Sequence, residues 1–405
     1  MMAFNNTIMN NQRKKILFIN GHLNVGGIEK SLVDLLNWID YSRYDIDLLL
    51  LEGKGDYLES LPKAVNIIYR DISCAYGPLG KTIANNLLGG NYADIIFRMI
   101  LLLSKALSLK ALRWLHPLLH VANHYDVAIA YRPGICTDLL VYAINSDKKI
   151  SWWHHGECSY NQQMISHSNL VWNNLDYMAT VSEGCKRMLA RTFDLPINKL
   201  IVIPNMIDVD KITQLAGNTS PYCSGRFQII TVGRLSKEKQ VINAVYAAKK
   251  LREAGISDFC WNIVGDGDEL DRMKCETKRL DLQNHIYFWG KKSNPYPYIK
   301  YANILVHTSY VESQCITVLE AMALRTPCVV CKSLGTQEYM QDGTNGILVE
   351  HGVDSLYRGI LSMLSILGNK DALTESAYNT VRNRYTPQKI LNKLNSLLWA
   401  PNLSH

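Results

Sequence analysis

The chain has 405 residues, 47% of them hydrophobic and 20% charged, with a formal net charge of +7. That length favours two domains over one, and the composition is that of an ordinary globular protein, not a disordered one. No apolar run approaches the roughly 18 residues of a membrane-spanning helix; the longest, residues 95–103, is interrupted by Arg98. The first fifteen residues lack the apolar core of a signal peptide, so the protein is expected to stay in the cytoplasm where it is made. Its ten cysteines then read as reduced thiols.

A strand is predicted over residues 14–20, followed by Gly26 and Gly27 and a helix in which Ile28, Leu32, Leu35 and Leu36 recur at helical spacing. The segments DIDLLLLE and AVNIIYR predict two more strands. Residues 96–124 are Leu-rich, with Lys105, Lys110 and Arg113 interspersed. Two readings stay open there. A basic amphipathic helix can lie on an anionic membrane surface, and a helix packed on its own domain can snorkel its lysines to water. Strands at YDVAIAYRP, KKISWWHHGE, DYMATVSE and KLIVIPN complete the first half.

Residues 206–226 are polar and rich in turn formers, and read as a linker. A second alternating series follows: FQIITVGRL, CWNIVGDGDE, HIYFWGKK, ANILVHTS, TPCVVCKS and NGILVE as strands with helices between, then helices from about 353 to 400. Alternating strands and helices predict parallel sheets covered on both faces. Two such halves imply an inter-domain cleft, with ligands outside the carboxyl ends of the strands. The expected division is 1–205, 206–385, and a terminal segment 386–405.

Several groups fall at strand ends. Arg234 and Lys239 follow the first strand of the second half, where two cations suit a diphosphate. Glu312 lies in the turn after ANILVHTS, and Glu320 eight residues on in the next helix. That helix would aim free N–H groups at an anion, with carboxylates placed for hydroxyls on either side. His154 and His155 also end a strand, near Glu157, where an imidazole can orient a hydroxyl. Asp266 and Asp268 sit between glycines, so turn duty is expected of them and no metal. Cys328 and Cys331 form a CxxC without a second pair, and read as a buried strand. No Walker loop, nicotinamide fingerprint or RNA-binding signature is present.

The segments VGRLSKEK, IVGDGDEL, the glutamate region and NGILVE resemble the retaining glycosyltransferases of family four, strongly over about 225–350 and fairly over the first half. The resemblance implies an α/β GT-B fold, two Rossmann-like domains facing an inter-domain cleft, with the C-terminal helix, 386–405, crossing back to the first domain. It implies transfer of a hexosyl or N-acetylhexosaminyl group from a nucleotide sugar, UDP-linked, with retention and without a metal or other cofactor. Carried over by position, Arg234 and Lys239 would bind the donor diphosphate and Glu312 the donor sugar. Glu320 would bind the ribose, and the amides of Gln314, Cys315 and Ile316 the phosphates. The base would lie near Gly290 and Lys291, with Gly27 bordering the diphosphate and His154 facing a sugar. Ser313, Cys315 and Gln240 depart from residues that are usually small.

The same resemblance points to a glycan or lipid-linked glycan acceptor in surface polysaccharide synthesis (O-antigen, capsule or exopolysaccharide). If the acceptor is lipid-linked, peripheral attachment at the inner face of the plasma membrane follows; with no RNA-binding signature, no nucleic-acid partner is expected. An epimerase or phosphorylase of this architecture, and a non-catalytic nucleotide-sugar-binding protein, remain the alternatives.

Overall fold

The computed structural model describes residues 13–53, 55–72, 92–156, 160–223 and 225–401. Glu157 lies outside them, as do residues 1–12 of the segment read for a leader. The strands of the first sheet are β1 (Lys14–Asn20), β2 (Tyr44–Leu50), β3 (Asn66–Tyr69), β4 (Tyr125–Ala130), β5 (Ser146–Trp153), β6 (Tyr177–Thr180) and β7 (Leu200–Val202), in the order β3-β2-β1-β4-β5-β6-β7. The second sheet holds β8 (Phe227–Val232), β9 (Phe259–Val264), β10 (Ile286–Gly290), β11 (Ile304–His307), β12 (Cys328–Cys331) and β13 (Ile347–Val349), ordered β10-β9-β8-β11-β12-β13. In parallel, β1 pairs with both β2 and β4, and β8 with both β9 and β11. Strand order therefore reverses beside β1 in one sheet and beside β8 in the other, the positions where such sheets bind ligands.

Burial explains why these segments are strands. Residues Ile16 to Ile19 of β1 are fully buried, a continuous apolar run that only a two-sided strand can use. In the second sheet Ile229, Ile304, Val306 and Val329 pack in one cluster, and Ile230, Leu305 and Val330 in another. That alternation is the pleat of a sheet with helices on both faces. Cys328 and Cys331 are buried on β12.

By contact density the chain divides into two units. One comprises Met1–Trp153, His167–Met178 and Leu398–His405, the other His154–Ser166 and Ala179–Leu397. In the first unit, Lys14 and Lys148 each donate from Nζ to the Leu398 carbonyl at 3.3 Å, and Lys148 also to that of Ala400. Trp399 donates to the Tyr44 hydroxyl at 2.8 Å, and the Tyr177 hydroxyl to the Pro401 carbonyl at 3.0 Å.

Two segments differ from the sequence reading. Within the expected linker a helix forms over Val209–Ala216, because the Asp208 side chain accepts from the Lys211 N–H at 3.0 Å and Ile212 and Ala216 are buried. The Leu-rich stretch forms the helix Tyr92–Ala106 and a 3-10 stretch Leu109–Leu118. Phe97, Ile100, Leu101 and Ser104 are buried, while Tyr92, Ile96, Met99, Leu103, Leu107 and Trp114 are exposed. At 100° per residue the exposed helix residues Tyr92, Ile96, Met99 and Leu103 centre about 120° from the buried ones, so the helix carries apolar side chains on a second, exposed face. No helix of the described residues is long and apolar enough to cross a membrane.

Candidate functional site

The site is built where β11 ends. His307 is its last residue, and the turn after it carries Glu312 before the helix Ile316–Ala323 begins. Two glycines press on that turn. A Cβ at Gly156 would lie 2.9 Å from the Glu312 backbone nitrogen, and one at Gly335 would overlap the Ser313 carbonyl. Gly335 also donates its N–H to the Glu312 carbonyl at 3.0 Å. The Ser313 hydroxyl donates to the His154 carbonyl at 2.6 Å. Here a serine does work that glycine could not, which accounts for that departure.

Glu312 is 9% exposed. Its Oε1 receives two donors, Lys239 Nζ at 2.7 Å and His307 Nε2 at 2.9 Å. Lys239 is steadied from behind, where its carbonyl accepts from the Thr308 hydroxyl at 2.8 Å. Burial alone would push the Glu312 carboxyl up, but the ammonium and the imidazole outweigh it and hold it down to about 2. For Lys239 burial works downward, and the Glu312 carboxylate beside it still raises the ammonium above its ordinary value. The pair is therefore fully ionised at neutral pH.

Cys315 precedes the helix with φ 63°, and Gln240 follows Lys239 with φ 50°. Both non-glycine departures thus occupy the left-handed region, where a Cβ is unfavourable. Cys315 turns its Sγ to 3.2 Å from His307 Nε2. The Gln314 side chain clamps the Asn205 backbone, accepting from its N–H at 2.7 Å and donating to its carbonyl at 3.2 Å. Glu320 is buried and accepts from the Tyr296 hydroxyl at 3.0 Å.

The remaining predicted residues are placed as follows. Arg234 follows β8 and is exposed, and among the described residues it forms no ion pair with Glu312. Gly290 ends β10 with φ 66°, and Lys291 beside it is exposed. His154 is buried in the second unit. Gly27 opens the first helix of the first unit. Asp266 accepts from the Gly267 N–H at 2.8 Å, as a turn residue. His307 was missed by the sequence reading, because a residue inside ANILVHTS reads as part of a buried strand. Its one signal was its polarity in that run.

Among the described residues one trio has the spacing of a metal-ligand set: His307, Glu312 and Cys315, with ligand atoms within 4.8 Å of one another. Lys239 already occupies the same Glu312 oxygen, and burial pushes the Cys315 thiol well above its ordinary range, against the thiolate a metal would need.

Residues 221–380 match the family model "Glycosyl transferases group 1". An uncharacterized glycosyltransferase of Methanocaldococcus jannaschii is 25% identical over 270 residues, spanning 64% of this chain and 65% of that protein. The UDP-Gal:alpha-D-GlcNAc-diphosphoundecaprenol alpha-1,3-galactosyltransferase of Escherichia coli is 25% identical over 210 residues, 49% of this chain and 54% of its own. Among solved structures, Anabaena HepE in complex with UDP and glucose superposes with a TM-score of 0.72 at 18% identity, covering 96% of this chain and 100% of that one. The glycosyltransferase of Rickettsia africae does so with a TM-score of 0.71 at 19% identity, covering 95% and 98%. The chain therefore has the two-domain GT-B fold, and its residues 221–380 form a segment of the group 1 glycosyl transferase type.

Proposed function

We propose that the protein is a retaining glycosyltransferase that moves a hexosyl or N-acetylhexosaminyl group from a UDP-sugar to a glycan acceptor, without a metal. One observation carries this reading: a half-buried cation and a buried carboxylate, 2.7 Å apart, at the head of the helix Ile316–Ala323. Breaking the bond between sugar and diphosphate leaves positive charge on the sugar carbon and sends the electron pair to the diphosphate. Lys239, Arg234 and the amides of Gln314, Cys315 and Ile316 would take up that negative charge. Glu312 would hold sugar hydroxyls, Glu320 the ribose, and Gly290 and Lys291 the base. Gly27 and His154 would complete the donor's surroundings. The acceptor hydroxyl would attack from the leaving-group side and pass its proton to a diphosphate oxygen.

The direct test is UDP release from a panel of UDP-sugars. Release that requires a sugar-diphosphate-lipid acceptor supports the proposal. Epimerised sugar without acceptor would mark an epimerase, and binding without turnover a non-catalytic protein.

The acceptor reading rests on the name of the Escherichia coli relative, whose acceptor is a diphosphoundecaprenol, and on the helix Tyr92–Ala106. That helix and the 3-10 stretch after it expose Ile96, Met99, Leu107 and Trp114 beside exposed Lys105, Lys110 and Arg113. Apolar side chains flanked by cations suit the surface of an anionic bilayer, where a lipid-linked acceptor resides. Sedimentation with anionic vesicles should fall in high salt and when those three cations are replaced by Gln. Equal sedimentation with neutral vesicles would overturn the electrostatic part.

A further inference from the structure

We infer that His307 is a positioning residue: it fixes Glu312 so that one carboxylate oxygen, Oε2, is presented to a hydroxyl of the donor sugar, and does so after Lys239 has turned to the diphosphate. The inference rests on the nucleotide-sugar reading above.

Lys239 and His307 converge on the same oxygen. An ionised carboxylate oxygen accepts about two hydrogen bonds in its plane, so Oε1 is filled. Among the described residues no hydrogen bond reaches Oε2, and Oε2 is the acceptor that remains for a ligand.

The two donors are unlike in how firmly they are held. The Lys239 ammonium rides on a flexible four-carbon stem and its side chain is 25% exposed. A bound diphosphate offers it a second, more highly charged partner. The His307 ring is 7% exposed at the end of a central strand, with Cys315 Sγ 3.2 Å from the same nitrogen. An imidazole on two rotatable bonds, buried at the end of a paired strand, follows a ligand less far than the lysine does. Because a carboxylate only accepts, His307 must donate from Nε2, and that bond survives when the ammonium moves. The left-handed backbone at Cys315 is part of the same device, since it returns the thiol over the strand end. The cation is thus the exchangeable partner of Glu312, and the imidazole the permanent one.

UDP and UDP-hexoses separate these roles, because UDP has the diphosphate but lacks the sugar. Calorimetric titration of the full chain with both is the experiment. His307→Leu should leave UDP affinity within about twofold and weaken the preferred UDP-hexose about tenfold, the size of one well-made hydrogen bond. His307→Gln, whose amide also donates, should recover most of that loss. Lys239→Met should weaken UDP and UDP-hexose alike. The inference is overturned if His307→Leu weakens both ligands equally. It is also overturned if His307→Gln melts like the parent yet recovers nothing. Failure of the unaltered chain to bind either ligand would instead sink the nucleotide-sugar reading, and this inference with it.

Discussion

Each unit buries one glutamate beside a histidine and a cation, and the two clusters close to different degrees. In the second unit Glu312 Oε1 lies 2.7 Å from Lys239 and 2.9 Å from His307. In the first, Glu29 Oε1 lies 3.4 Å from Arg132 Nη2 and 3.6 Å from His22 Nδ1, lengths beyond good hydrogen bonds. Glu29 is 2% exposed, and among the described residues its Oε1 has no hydrogen-bond partner. One carboxylate is saturated on one oxygen and preorganised, and the other is buried without that compensation. A Cβ at Gly26 would overlap the Glu29 carboxylate, so this looser cluster is crowded from the backbone side instead. The lesson is that burial of an acid beside a cation is not a single condition: what the carboxylate can do depends on whether its donors come within bonding distance.

The largest effect that could break this contrast is expected at Glu312. Glu312→Gln removes the charge from the closed cluster and leaves Lys239 without its counter-ion. Denaturant unfolding should show a loss of about 3 kcal/mol, and donor-dependent turnover should drop by about 10²-fold or more. An unchanged turnover would remove Glu312 from the proposed donor site.

Acid should reveal the same cluster. The Glu312 carboxyl titrates near about 2 in the folded chain against an ordinary 4.5. Between those values the folded state binds fewer protons than the unfolded one, so the stability this group supplies is complete above pH 4.5 and lost as pH falls through 2. Unfolding followed across that window should be steeper for the parent than for Glu312→Gln. Parallel curves would show that the cluster is not closed in solution.

Ser313→Ala tests the turn between strand and helix. It deletes the 2.6 Å hydrogen bond to the His154 carbonyl and should cost about 1 kcal/mol in unfolding experiments. A cost below a few tenths would mean the hydroxyl is satisfied elsewhere. The smallest effect is expected at Glu29. Its charge is buried with distant donors, so Glu29→Gln should shift stability by less than about 1 kcal/mol in either direction. A loss as large as that for Glu312→Gln would erase the distinction between the two clusters.

Much of this was legible in the letters, and the exceptions share a cause. The strands appeared as apolar runs because a two-sided strand must be apolar throughout, and the Glu312–Glu320 spacing declared the strand–turn–helix junction. Lys239 was placed at a strand end by its position after Gly233, but its pairing with a carboxylate 73 residues away is a tertiary fact. His307 was hidden because, in a buried strand, a lone histidine looks like a tolerated impurity in the run. The helix Val209–Ala216 was hidden because Asp208, which caps it, is also a common turn residue. Cys315 and Gln240 drew notice as departures, yet only the backbone shows that both stand at left-handed positions. Sequence patterns report burial and period well, and long-range partners and unusual dihedrals poorly.

The tie between Lys148 and the carbonyls of Leu398 and Ala400 has a consequence in time. Lys148 is 3% exposed, and its ammonium is answered by main chain synthesised some 250 residues later. Until that later stretch has been made, these two carbonyls are not available to the Lys148 ammonium. The first sheet therefore draws part of its closure from a segment some 250 residues further along the chain.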